Sequence, residues 1–347
     1  MKKTPTIQDV ARFASVSAAT VSRALSTPER VSEDTRARIS EAIHATGYTL
    51  NQAARSLRRR SARTILVALP DIRNPFFSSI LDAIEREATS RGYGVLVANL
   101  YFGAVTARRL QDYMLSNRAD GLLLLDGSLD PEMLDAITMP PYSVPLVVAC
   151  ESIPDTDFHT VQTDNAQAAE RATQHLLDLG HVRIGHIMGP DSNVVARDRL
   201  AGFRRAMERA GHDVPPEWLF RGNFEMSSGF SAAARFMALG ERPTAIFAAN
   251  DEAAIGFLSG MRQHGLQCPD DVSIVGFDDL AVAAHYAPPL TTMRQPRETL
   301  GRMAAEALID ILEGASPAQG PLHIVLNSEL VVRDSTGRPA PKNRKIA

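Results

Sequence analysis

The sequence predicts a small all-α head followed by an α/β core of two doubly wound parallel-sheet lobes. Three observations carry this. Apolar residues near the start recur at helical spacing. From Thr64 onward, short apolar runs alternate with amphipathic stretches, the pattern of parallel strands joined by crossover helices. That alternation then repeats, which implies two similar lobes. At 347 residues, 44% apolar and 22% charged, the chain has room for two or three globular domains.

Residues 6–25 read TIQDVARFASVSAATVSRAL. Ile7, Val10 and Ala11 form one apolar stripe, which Ala14 extends. The pattern breaks at Val16-Ser17, and Ser17 is a good N-cap for a second helix. That helix carries Val21, Ala24 and Leu25 on its buried face. Its other face offers Ala18, Ala19, Thr20, Ser22 and Arg23. Two short helices joined by a tight turn make a helix-turn-helix. Ala18 and Ala19 let the backbone approach a major groove closely. Thr20 and Ser22 hydroxyls can meet phosphates, and Arg23 can reach a guanine edge with two hydrogen bonds. Thr6 and Ser17 complete the candidate DNA contacts of the head. STPERVS then turns the chain, and Ser32-Glu33-Asp34-Thr35 opens a third helix with acids where the helix dipole favours them. Val31, Ile39, Ala42 and Ile43 supply its apolar face, Gly47 stops it, and Tyr48 packs back.

The fixed positions T-I-x-D-V-A-x-x-A-x-V-S-x-x-T-V-S-R-x-L resemble the amino-terminal signature of the LacI/GalR family of bacterial transcription regulators. The linker 51–63, NQAARSLRRRSAR, is on its own a short, marginal helix whose arginines at 55, 58, 59 and 60 repel one another until phosphates neutralise them. The resemblance implies more. In that family the linker folds into a hinge helix on the operator, and a leucine wedges into the minor groove. The matching residues are Ala54, which permits close approach, and Leu57, the wedge; Asn51, which caps the short helix, and Arg58 complete the candidate DNA contacts of the linker.

Charge is divided accordingly. Residues 1–63 hold 12 Lys+Arg against 5 Asp+Glu, and the remainder 25 against 35. A basic head on an acidic body suggests that the head meets a polyanion. Cys150 and Cys268 lie 118 positions apart, which is neither a metal spacing nor a disulfide framework. No apolar run approaches the ~20 residues of a membrane span. The start MKKTPTIQDV is positive but lacks the apolar core of a signal peptide. The expectation is a cytoplasmic, nucleoid-associated protein without a membrane partner.

In the core, strands are expected at 65–70, 93–100, 121–127 and 145–150, with helices at 75–92, 104–117 and near 130–138. The second set starts near 159–165. A helix follows to Gly180, then strands at 183–189, 244–250 and 271–278 with helices at 196–211, 227–239 and 251–265. LTTMRQP (290–296), a helix at 297–313 and one strand, HIVLNSELVVRD (323–334), remain. The resulting domains are a head at 1–50, the hinge at 51–63, a core at 64–338 and a tail at 339–347. The resemblance implies a periplasmic-binding-protein-like core crossed three times by the chain. Lobe 1 is expected at about 64–160 plus 291–320 and lobe 2 at about 161–290 plus 321–338. It also implies a homodimer, and the tail has no leucine heptads for a tetramerising coiled coil.

Ligands of parallel α/β sheets bind beyond the carboxyl ends of the strands. Those ends give Asp71 with Asn74, Phe76 and Phe77, then Asp126, Glu151, Asn250 with Asp251, and Asp278. Arg197 and Arg199 open a helix, and Phe224 lies in a link. Carboxylates and an amide for hydroxyls, an arginine donor and aromatic faces suit a small polyhydroxylated or heterocyclic molecule. The motifs R-x-x-GF at 199–203, AND at 249–251 and VGFDD at 275–279 stand as in the family. They imply Phe76, Phe77, Arg199, Phe224, Asn250, Asp251 and Asp278 as effector residues, beside Asp71, Asn74 and Glu151. TILVALPDIRNPFFSSIL and PPLTTMRQPRE look most like the family's cytidine-repressor branch, which points to a nucleoside or sugar effector. Asn193 stands where purine-type relatives often carry a basic residue, which argues against a free purine base. His159, His175, His181 and His186 fit no zinc spacing, and neither metal nor cofactor is expected.

Three functions compete: a ligand-responsive DNA-binding regulator, probed by operator affinity; a cytoplasmic small-molecule-binding protein; and a nucleotide-using enzyme. The basic head counts against the second. Against the third, the first strand runs into PDIRNPFF rather than a G-x-G-x-x-G turn, and no G-x-x-x-x-G-K-[ST], G-x-S-x-G or H-E-x-x-H stands out. The expectation is a regulator acting as a repressor, and not an enzyme.

Overall fold

The computed structural model describes residues 5–48, 61–101, 110, 112–116, 118–127, 129, 131–140, 143–153, 156–315 and 320–340. It divides into two compact units, Met1–Ala62 and Arg63–Ala347.

Among its described residues the first unit holds three α-helices, α1 (Ile7–Phe13), α2 (Ala18–Ser26) and α3 (Glu33–Thr46). Each end has a local cause. The backbone N–H and the hydroxyl of Thr6 both donate to the Asp9 carboxylate, at 2.9 and 2.7 Å. The Ser17 hydroxyl accepts from the Thr20 amide at 3.0 Å, the N-cap bond that starts α2. Gly47 closes α3 in the left-handed conformation, φ +67°. Val10, Ala11, Ala14, Val21, Ile39 and Ala42 form the core, and Ala24, Leu25, Ile43 and Tyr48 pack around it.

The second unit is built on two six-stranded sheets. Sheet one contains β1 (Thr64–Leu69), β2 (Gly94–Asn99), β3 (Gly121–Leu124), β4 (Leu146–Cys150), β5 (His159–Thr163) and β11 (His323–Leu326). Sheet two contains β6 (Ile184–Ile187), β7 (Leu219–Phe220), β8 (Ala245–Ala248), β9 (Ser273–Asp278), β10 (Thr291–Arg294) and β12 (Glu329–Val331). The orders β2-β1-β3-β4-β5-β11 and β7-β6-β8-β9-β10-β12 are the same pattern used twice. All pairings are parallel except β10 with β12.

Helices α4 (Phe76–Ser90), α5 (Pro131–Thr138) and α10 (Arg297–Leu312) belong to lobe 1. Helices α6 (Asn165–Asp178), α7 (Val194–Arg209), α8 (Met226–Met237) and α9 (Asp251–Gln263) belong to lobe 2. The glycine of the R-x-x-GF motif has a packing reason. A Cβ on Gly202 would collide with the Ala166 carbonyl, so only glycine lets α7 lie this close to α6.

The lobe boundaries differ from those expected. The segment 291–294, placed in lobe 1 from sequence, is strand β10 of sheet two, in register with Val275–Asp278, and Met293 is buried in lobe 2. The run 323–334 is not one strand. It breaks at Asn327-Ser328, so that β11 pairs with β5 in lobe 1 and β12 with β10 in lobe 2. All of β5 belongs to lobe 1. The chain therefore crosses at Asp164, at Gln295-Pro296 and at Asn327-Ser328. Alternation of apolar residues marks a strand but carries no information about its partner.

Candidate functional site

In the head, Ala19 and Arg23 of α2 are exposed, while Ala18, Thr20 and Ser22 are half-buried. The Thr20 hydroxyl lies 2.8 Å from the Ser17 hydroxyl, so these two residues build the start of the helix as well as facing outward. Thr6 likewise serves the start of α1. Asn51, Ala54, Leu57 and Arg58 lie outside the described residues.

The second site lies where the strands of the two lobes end. Arg199, on α7, is the one lysine or arginine buried among the described residues. Its Nε donates to Asn165 Oδ1 at 2.9 Å and its Nη1 to the Ala249 carbonyl at 2.6 Å. The guanidinium lies 3.7 Å above the Phe277 ring and 5.9 Å from that of Phe224. Nη2 stands 3.9 Å from Asp278 Oδ1, which also accepts from Gln295 Nε2 at 2.8 Å. Burial pushes Asp278 up to about 6, against the opposing pull of Arg199.

Glu151 closes the lobe 1 side at the end of β4. Its carboxyl accepts from the Gly127 amide at 2.7 Å and, across the lobes, from Asn193 Nδ2 at 3.0 Å. Burial and the neighbouring charge of Asp126 push it up to about 7. Asn193 also caps α7 through its Oδ1 and the Ala196 amide, 3.0 Å apart. Asn250 caps α9 and donates to the Phe224 carbonyl at 2.8 Å. Four non-glycine residues here have positive φ: Cys150 at +70°, Phe224 at +67°, Asp278 at +113° and Asp279 at +52°. Such strain collects at ligand-holding sites.

The fold brings Arg199, Asp278, Phe224, Asn250 and Glu151 together, and the other candidates have the following surroundings. Asp251 is fully buried and turned inward. Its two oxygens accept from the Thr292 hydroxyl at 2.6 Å and the Leu280 amide at 2.7 Å, which fixes the turn at 278–280. Phe76 and Phe77 pack edge to face in the lobe 1 core, which also receives Leu280 from lobe 2. Asn74 accepts from the Phe76 amide at 2.9 Å, and Asp71 is paired with Arg73 at 2.7 Å. Asp71, Asn74, Phe76 and Phe77 thus each have a neighbour of their own. Sequence reasoning missed Asn165 and Gln295, two neutral amides that follow strand ends closely. His186 is sandwiched between Phe203 and Phe247 at 5.1 and 4.8 Å, and burial pushes it down to about 4. It is a neutral core residue.

Comparison with known proteins identifies the architecture. The description "Bacterial regulatory proteins, lacI family" matches residues 6–51, and "Periplasmic binding protein-like domain" matches residues 173–336. The HTH-type transcriptional repressor CytR of Escherichia coli (strain K12) is 38% identical over 95% of this chain and 96% of its own. The chain belongs to the LacI family. Among its other LacI-family relatives, the HTH-type transcriptional repressor PurR of Photobacterium profundum is 34% identical over 95% of this chain and 98% of its own. The ribose operon repressor of Escherichia coli (strain K12) is 36% identical over 88% of this chain and 92% of its own. The lac repressor dimer bound to operator and the anti-inducer ONPF superposes with a TM-score of 0.84, at 29% identity, covering 96% of this chain and all of the other. A CelR–cellobiose complex gives a TM-score of 0.72 at 32% identity, covering 95% and 99%. No described helix is long and apolar enough to cross a membrane.

Proposed function

We propose that this LacI-family member is a cytoplasmic, homodimeric, sequence-specific DNA-binding repressor, without catalytic activity, whose hold on its operator is set by a small effector taken between the core lobes. The observation that carries this reading is the pairing, in one chain, of a capped helix exposing Ala19 and Arg23 with a core cleft built around buried Arg199. The head supplies Thr6, Ser17, Ala18, Ala19, Thr20, Ser22 and Arg23 toward the major groove. Asn51, Ala54, Leu57 and Arg58 supply the hinge, with Leu57 as the wedge.

The charge around Arg199 limits the effector. Glu151, Asp198, Asp251 and Asp278 all act on this single buried cation. Asp278, 3.9 Å from Arg199, already faces that cation, so a phosphate or carboxylate would find no unopposed positive charge. A neutral molecule rich in O–H and N–H donors suits the site, which describes a sugar or an unphosphorylated nucleoside. Asp278 and Arg199 would hold hydroxyls, Phe224 would cover a ring, and Asn250 and Glu151 would complete the polar set. Asp71, Asn74, Phe76, Phe77 and Asp251 would act by holding the frame.

The control is a shift of population. Effector favours one lobe arrangement, and that arrangement changes how well two hinges pair in the groove. Coupling of ~1–3 kcal/mol is ordinary for such systems, and induction is the expected sign. The test is a gel shift on a library of randomised duplexes, with and without a panel of nucleosides and sugars. A retarded band weakened by one of these ligands is expected. No retarded band under any condition would end the reading.

A further inference from the structure

The turn between α1 and α2 is built on an unfavourable residue. Ser15 has φ +53°, the left-handed conformation that normally calls for glycine. Its amide donates to the Arg12 carbonyl at 3.3 Å, and the Val16 amide to the Ala11 carbonyl at 3.0 Å. These two bonds make a Schellman ending for α1, with serine at the left-handed position. The carbonyls of Ala14 and Ser15 then point away from the helix, at its negative end. Arg38, on α3, comes to them from 24 residues away. Its Nη2 donates to the Ala14 carbonyl at 2.6 Å and reaches the Ser15 carbonyl at 3.5 Å. Ser17, two residues after the turn, starts α2.

We propose that Arg38 is a positioning residue for DNA reading: it clamps the strained Ser15 turn from α3 and so fixes the angle at which α2 is presented. The inference rests on the reading of the head as DNA-binding. A guanidinium on a basic head could instead meet a phosphate, and the two roles separate by salt dependence. A lost phosphate contact lowers the slope of log affinity against log salt by about one per head. A lost clamp leaves the slope unchanged.

The test uses the full-length chain and a fluorescein-labelled duplex that the wild type selects from a randomised library. Binding is titrated by anisotropy from low to moderate salt. Arg38→Ala should bind about five- to tenfold more weakly with an unchanged salt slope. Arg38→Lys, which keeps the charge but loses the fork, should fall between. In the Ser15→Gly background, where the turn adopts its conformation unaided, the loss from Arg38→Ala should shrink below about twofold. Equal losses in both backgrounds, or a lowered slope, would overturn the clamp while leaving the DNA-binding reading intact. A wild type that selects no duplex would overturn both.

Discussion

Replacing Glu151 by glutamine should remove most of the core's loss of stability between pH 5 and pH 8, on top of a pH-independent cost from the one acceptor oxygen that the amide lacks. The carboxyl is buried at the meeting of the lobes and held near 7 against an ordinary glutamate value of 4.5. That gap corresponds to about 3 kcal/mol of preference for the protonated form. The folded chain thus binds this proton more tightly than the unfolded chain does. Stability falls as pH rises from 4.5 toward 7, and the full cost stands above the folded value. Integrated from pH 5 to pH 8, the wild type should lose about 2–3 kcal/mol that the glutamine variant keeps. Groups remote from Glu151 titrate alike in both proteins and cancel in the difference, whereas its coupled neighbour Asp126 contributes to it. The single tryptophan gives the assay its signal. Trp218 is buried in lobe 2 beside β7, with its indole N–H on the Glu241 carbonyl at 3.1 Å. Urea unfolding of the full chain, followed by Trp218 fluorescence at both pH values, measures the difference. An equal gap between variant and wild type at pH 5 and pH 8 would refute the argument.

Other outcomes follow from the same geometry. Arg199→Met should weaken the effector identified in the gel shift at least about 30-fold by calorimetry, because Asp278 is left without its cation. Ser17→Ala should cost the head about 1 kcal/mol through the lost N-cap, read by circular dichroism during thermal melting. Gly202→Ala should destabilise the core by about 1–3 kcal/mol, since α6 blocks the new methyl group; the urea midpoint measures it. Leu57→Ala should lose most operator affinity in a fluorescence titration and leave effector binding intact.

The strands of this core announce themselves in sequence because parallel sheets covered on both faces need unbroken apolar runs. TILVAL, GLLL and LVVAC are examples, and all three are buried almost throughout. Sheet membership is not announced. β10 and β11 find partners more than a dozen positions away, and neither TTMR nor HIVL carries a mark that assigns it to one sheet rather than the other. The charged groups were legible where one ends a strand or stands in the early turns of a helix, as with Asp278 and Arg199. Their direction was not. Asp251 and Asn250 are adjacent, yet one seals the turn at Leu280 and the other holds the Phe224 link. Asn193 drew notice only for the charge it lacks. Its contribution, a cap at one end and a bond to Glu151 at the other, depends on a partner 42 positions away.

The weaving of the backbone between the two halves has a consequence for synthesis. The lobe 1 sheet is not finished until residues 323–326 add its last strand, and the lobe 2 sheet not until 329–331. Neither half is a continuous stretch that a ribosome could release as a finished globule. Translation that stops near residue 290 would leave both halves with missing strands at once, so a nearly complete polypeptide should be as defective as a short one.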